Sequence, residues 1–188
     1  MKYKHIAFDI DGTLRDEAYG IPETAKTAVN ICKEKNYYIC LCTGRTIGTI
    51  TEDVLALNVD GVIAGGGSHI EFHKKLIKKS FFKEEKVRAV NIYLKDKNDD
   101  IAFTFETDDI VFMNKEAVKI LTSLNEEKFK SLTDKQMQFI EEHQKIVYEE
   151  NIHRFNEKLH RVNKICLWAS EEIFEEIKSI FSEDEIQL

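Results

Sequence analysis

Short apolar runs alternate with stretches of helical spacing over the first third of the chain. Residues 4–10 read as a strand. Residues 22–35 place Ala25, Ala28, Val29 and Cys32 at i, i+3, i+4 and i+7, one face of a helix, with Pro22 suited to its first turn. Residues 37–42 form a nearly unbroken apolar run, which predicts a strand buried on both faces. Residues 46–57 carry Ile47, Ile50, Val54 and Leu57 on one side and predict a second helix, and residues 59–64 predict a third strand. This β-α-β-α-β order predicts a parallel sheet with right-handed crossovers. Ligands of such sheets bind at the carboxyl ends of the strands. Those ends carry residues 9–13, then Thr43, Gly44 and Arg45, then residues 65–68.

The pattern then changes. Residues 69–72 and 76–82 predict a hairpin around His73, Lys74 and Lys75. Residues 84–94 predict a helix. Ile101, Phe103 and Phe105 alternate with Ala102, Thr104 and Glu106, the period of a strand, and residues 110–113 can pair with it across residues 107–109. Residues 115–124 are helical in pattern. Thr133 and Gln136 have capping-box spacing and open a helical stretch running to about residue 150. Residues 164–169 predict a strand, and Ser170 caps a helix with Ile173, Ile177 and Ile180 on one face. Residues 185–188 resemble the start of a further strand.

Loop chemistry divides the chain. All eight glycines fall between Gly12 and Gly67 and the single proline is Pro22, so residues 68–188 contain neither. The expected units are residues 1–82, an α/β unit, and residues 83–188, a mixed α and β unit. A chain of 188 residues with 43% hydrophobic and 32% charged residues has an ordinary globular composition. Its net charge of −7 argues against general nucleic-acid binding. No apolar run is long enough to span a membrane and no signal pattern opens the chain, so a cytoplasmic location is expected. The four cysteines form no C-x-x-C pair and read as reduced thiols.

The sharpest chemical signal is Phe8, Asp9, Ile10, Asp11, Gly12, Thr13 and Leu14, which follows the first apolar run. Two carboxylates two residues apart share one face if the strand continues through them. Like charges at that distance repel unless a cation lies between them, and Mg²⁺ takes hard oxygen ligands. A carboxylate nucleophile can split phosphomonoester hydrolysis into two steps. On this reading Asp9 is the nucleophile and a metal ligand, and Asp11 is the acid and then the base. Gly12 lets backbone N–H groups approach the phosphoryl oxygens, and Thr43 offers a hydroxyl at the next strand end.

These residues resemble the haloacid dehalogenase superfamily. The 8–14 run looks like its first motif. Leu41, Cys42, Thr43, Gly44 and Arg45 are similar to the second motif of its Cof-type sugar-phosphatase-like branch. The resemblance implies a Rossmannoid parallel α/β sheet, here its first three strands, with an inserted α/β cap domain. It implies Asp9 as nucleophile, Asp11 as acid and base, and Thr43 as a phosphoryl-binding hydroxyl. Gly12, Gly44 and Arg45 complete the phosphate loop in this reading. It also implies Mg²⁺, held by Asp9 and at Asp11 in part through its backbone carbonyl, and a small phosphorylated metabolite as substrate. Gly66 stands where the branch usually has asparagine. The lysine and Gly-Asp motifs of the family belong to the later half of its core, and residues 83–188 contain no Gly-Asp string. The expectation is therefore a fragment of a longer phosphohydrolase, a truncated product with little turnover, or a core completed by a partner chain. The unfinished sheet leaves self-association open.

Other signals are weaker. His69, Glu71 and His73 alternate, as ligands of a transition metal or simply as the polar face of a hairpin. Arg45 suits a phosphate contact and equally a carboxylate at the core mouth. Residues 65–67 suit an anion cradle or a hinge. Lys74, Lys75, Lys78 and Lys79 read as a solvated hairpin that can also attract anions.

Overall fold

The computed structural model describes residues 4–16, 19–97, 101–143 and 146–181. They form two compact units, Met1–Lys79 with Ser131–Ile146, and Ser80–Lys130 with Val147–Leu188. Among the described residues no helix is long and apolar enough to cross a membrane.

The first unit is built on β1 (His5–Phe8), α1 (Glu23–Glu34), β2 (Tyr38–Cys42), α2 (Glu52–Leu55), β3 (Gly61–Ala64), β4 (His69–Phe72) and β5 (Lys75–Lys79). Strands β1, β2 and β3 pair in parallel, with Phe8 opposite Leu41 and Leu41 opposite Val62. The hairpin β4–β5 extends the same sheet in antiparallel fashion, giving the order β1-β2-β3-β4-β5. His73 and Lys74 both have positive φ, so the hairpin turns over two residues rather than three. Ile10, Ile39, Leu41, Val54, Val62 and Ala64 form the core of the covered face, and Val29 of α1 closes it. Ala28, expected on that helix face, is exposed.

Three expectations change here. The apolar run in β2 is buried on one face only: Ile39 and Leu41 are sealed, whereas Tyr38 and Cys42 are exposed. Residues 46–57 form a 3-10 turn (Ile47–Thr49) and then the short α2, because Gly48 and three β-branched threonines weaken a continuous helix. Thr49 donates its hydroxyl to the Thr46 carbonyl instead, at 3.0 Å. Ile50 and Val54 are nevertheless buried as their spacing requires. Strand β1 ends at Phe8, so Asp9 and Asp11 lie beyond it and do not owe their positions to a shared strand face.

The second unit contains α3 (Glu84–Asp96), β6 (Ala102–Glu106), β7 (Val111–Met113), α4 (Lys115–Phe129), β8 (Tyr148–Glu149), β9 (Lys164–Trp168) and α6 (Glu171–Lys178). Its sheet has the order β8-β7-β6-β9. Val87, Val90 and Leu94 of α3 and Ile177 of α6 meet Phe103, Phe105 and Phe112 in its core. Asn114 caps α4 from a fully buried position. Its Oδ1 accepts from the N–H of Phe103 and of Ala117, both at 3.0 Å, and its Nδ2 donates to the Ile101 carbonyl at 2.7 Å. The alternation over these residues predicted a strand, which β6 is, and all five of its residues are buried. On the second face Glu106 pairs with Lys164 at 3.3 Å and accepts from the Cys166 thiol at 3.1 Å. Burial, followed by the charge of Glu106, pushes that thiol up to about 11.

The return half of the capping box at Thr133 forms, with Gln136 Oε1 accepting from the Thr133 N–H at 2.7 Å and from the Thr133 hydroxyl at 2.7 Å. Its helix, α5 (Asp134–His143), falls in the first unit and ends well before residue 150, where Tyr148 and Glu149 pair in parallel with β7. Phe139 of this helix lies against Gly20, where a Cβ would collide with the ring. The strand expected at residues 185–188 lies outside the described residues.

Candidate functional site

Ile10 anchors the loop after β1. Its side chain is fully buried, and its carbonyl accepts from the N–H groups of Thr13, Leu14 and Arg15 at 3.4, 3.0 and 2.9 Å. A residue sealed between Asp9 and Asp11 turns both carboxylates outward, and both are exposed. Gly12 takes φ +70°, a conformation that a side chain would strain. Its N–H donates to the Arg15 carbonyl at 3.2 Å, so the role this structure gives Gly12 is conformational.

Arg15 fixes the far side of the loop. Its side chain is wholly buried, and its Nε donates to Asp53 Oδ2 at 2.9 Å. Its two terminal nitrogens are buried without a hydrogen-bond partner among the described residues. Burial pushes the Asp53 carboxyl up, but the Thr51 hydroxyl and the Arg15 guanidinium outweigh it and hold that carboxyl below the usual range. Neither residue stood out in the sequence. An arginine directly after an apolar loop residue gives no sign of burial, since arginine is usually exposed.

The ends of β2 and β3 converge through the backbone. Thr43 N–H donates to the Ile63 carbonyl at 2.9 Å, Gly66 N–H to the Thr43 carbonyl at 3.3 Å and Gly65 N–H to the Arg45 carbonyl at 2.6 Å. The Thr43 hydroxyl accepts from the Arg45 N–H at 3.1 Å, which leaves its own proton available to an acceptor. Gly44 is exposed, with open space where a Cβ would stand. Arg45 closes across the loops. Its Nε donates to Asp11 Oδ2 at 2.7 Å, its Nη2 to Asp11 Oδ1 at 2.8 Å and its Nη1 to the Thr49 carbonyl at 2.8 Å. Of the two partners that its position allowed, Arg45 holds the carboxylate.

Asp9 makes no hydrogen bond or ion pair among the described residues. Its carboxylate and the Asp11 carbonyl are hard oxygen donors of the kind Mg²⁺ prefers, and two such donors fit an ion that keeps waters and phosphate oxygens. The Asp11 side chain, assigned to the metal from sequence, is held by Arg45 instead. No cluster of three or more acidic, histidine or cysteine ligands occurs among the described residues. His69, Glu71 and His73 do not assemble either: His73 sits in the hairpin turn, and His69 Nε2 lies 3.7 Å from Glu71.

Three comparisons bear on this arrangement. The sequence model of the haloacid dehalogenase-like hydrolase family matches residues 6–188. The 5-amino-6-(5-phospho-D-ribitylamino)uracil phosphatase YwtE of Bacillus subtilis (strain 168) is 29% identical over 106 residues, 56% of this chain and 36% of YwtE. The YxeH protein of the same organism is 37% identical over 73 residues, 37% of this chain and 27% of YxeH. Among solved structures, the subclass IIB sugar phosphatase BT4131 aligns over 94% of this chain and 62% of its own, with a TM-score of 0.65 and 21% identity. A haloacid dehalogenase-like hydrolase from B. subtilis covers 94% of this chain and 65% of its own, with a TM-score of 0.66 and 15% identity. The chain thus spans under two thirds of those solved structures and about a third of the curated relatives it matches.

Proposed function

We propose that this chain, which belongs to the haloacid dehalogenase-like hydrolases, carries the nucleophile and phosphate loop of a phosphohydrolase acting on small phosphorylated metabolites. One observation carries the reading: Asp9 is exposed, with no hydrogen-bond or ion-pair partner among the described residues, on a loop pinned by buried Ile10, at the same end of the sheet as Thr43 and Arg45, which follow the neighbouring parallel strand β2. YwtE and BT4131, each named for a phosphatase activity on a small metabolite or sugar, support the substrate class.

In this mechanism an Asp9 oxygen bonds to phosphorus as the ester P–O bond breaks, and the leaving oxygen takes a proton from Asp11. Water then attacks the aspartyl-phosphate and gives its proton to Asp11, which frees inorganic phosphate and restores Asp9. Thr43 donates its hydroxyl proton to a phosphoryl oxygen, and Arg45 offers a charged fork that matches phosphate. Mg²⁺, held by the Asp9 carboxylate and the Asp11 carbonyl, would offset the repulsion between a carboxylate nucleophile and a dianionic substrate.

The pairing of Asp11 with Arg45 favours a second reading, a phosphate-binding fold without turnover. Hydrolysis of an aryl phosphate with Mg²⁺ separates the two. Release of the aryl alcohol that falls at least about a hundredfold in Asp9→Asn supports the enzyme. Release that is absent, or unchanged by the substitution, leaves only the binding module.

A further inference from the structure

The contact between Arg45 and Asp11 joins two groups that the proposed reaction needs apart. Both Asp11 oxygens accept from the one guanidinium, at 2.7 and 2.8 Å, while the third nitrogen of that group is anchored on the Thr49 carbonyl at 2.8 Å. Both Asp11 oxygens point at the guanidinium instead of at a leaving oxygen or a water. The two-point fork faces Asp11, so Arg45 does not present that same face to a phosphoryl group. The pair is nevertheless built to exchange. The Asp11 side chain is 43% exposed and that of Arg45 is 17% exposed, so solvent screens the attraction and the resting bond is modest. Planar two-point geometry suits a carboxylate and a phosphoryl group equally well, and a dianion brings the larger charge.

We infer that the Arg45–Asp11 pair is a resting latch that an arriving phosphoryl group opens by taking Arg45 from Asp11. The inference rests on the phosphohydrolase reading and adds a regulatory step to it. Arg45 then acts as a positioning residue for Asp11: it keeps the acid–base group parked until the anion is in place, and the Thr49 carbonyl keeps the guanidinium at the loop during the exchange. The Thr43 hydroxyl is set by the Arg45 backbone N–H, not by the side chain, so it stays in place as the latch opens.

Inorganic phosphate binding, measured by titration calorimetry on the 188-residue chain and its variants, tests the latch. Asp11→Asn removes the competitor and is expected to tighten phosphate about tenfold when Arg45 is present. In the Arg45→Ala background the same substitution is expected to change affinity by less than about twofold, because no guanidinium remains to be released. Arg45→Lys keeps the charge without the fork, and there the gain from Asp11→Asn should fall to about threefold or less; this variant also serves if Arg45→Ala folds poorly. Equal gains in the arginine and alanine backgrounds would mean that Asp11 opposes anions by charge alone and would overturn the latch, as would failure of every variant to bind phosphate. Coupled binding without aryl phosphate turnover would overturn the enzymatic reading alone and leave the exchange intact.

Discussion

The sheet of the first unit turns His5, Ala7, Tyr38 and Cys42 toward solvent, whereas every residue of β6 in the second unit is buried. Polar groups follow the same division. Asp9 and Asp11 stand exposed at the end of the first sheet, while Glu106 and Asn114 of the second are sealed and bonded. A buried polar group that is fully paired fixes a fold, and an exposed carboxylate on a rigid loop is available for chemistry. The difference therefore separates the part of the chain to which the proposed chemistry is assigned from the part whose polar groups hold structure. Arg15 and Asp53 are the charged exception, an ion pair in the first unit that ties the loop after β1 to α2, and the hydroxyl residues Thr43, Thr46, Thr49 and Thr51 are buried in the same unit.

That exception offers the strongest way to break the comparison. Replacing Arg15 with methionine leaves Asp53 without its partner and is expected to cost about 3 kcal/mol or more in urea unfolding, with Asp53→Leu in the same chain recovering part of the loss. A change below about 0.5 kcal/mol would show that the loop does not depend on the pair. The sign of the pH effect is set by Asp53, whose folded carboxyl is depressed. Its contribution is present above the unfolded value of about 4 and is lost as pH falls through the lower folded value. The gap between wild type and Arg15→Met should therefore narrow below about pH 4.

Asn114→Ala sharpens the comparison from the other side. It strands the N–H groups of Phe103 and Ala117 and the Ile101 carbonyl, and should cost about 2 kcal/mol in the same assay. A neutral result would mean that the sealed polar groups of the second unit are incidental. The smallest effect is chemical. Alkylation of the native protein at pH 8 should label exposed Cys42 well before Cys166, whose thiol is pushed up to about 11. Mass mapping of partially labelled protein reads the order, and early labelling of Cys166 would contradict its burial beside Glu106.

Local chemistry was readable from sequence wherever one residue type does one job. The strand that leads into the 8–14 run, the return bond of the Thr133 capping box and the Ser170 cap depend on neighbours within a few residues, and the structure contains them; the parallel strand order follows instead from the alternation of strands and helices along the chain. What depended on distant partners was not readable. The side Arg45 takes, the pairing of Arg15 with Asp53 and the three-way bonding of Asn114 join residues far apart in the chain. Helix lengths failed for a related reason. The apolar spacing of residues 46–57 reports burial correctly, but buried hydroxyls and β-branched residues decide that the backbone is not one helix. The run in β2 shows the same limit: its apolar character predicted two covered faces, and only one is covered.

The central claim is that Asp9 reacts with the phosphoryl group, and acid quenching during aryl phosphate turnover with Mg²⁺ tests it most directly. Mass analysis of the peptide containing residues 9–15 is expected to show one added phosphoryl group on Asp9, absent from Asp9→Asn. Turnover in which that peptide stays unmodified, or in which the phosphoryl group appears on another residue, would contradict the account.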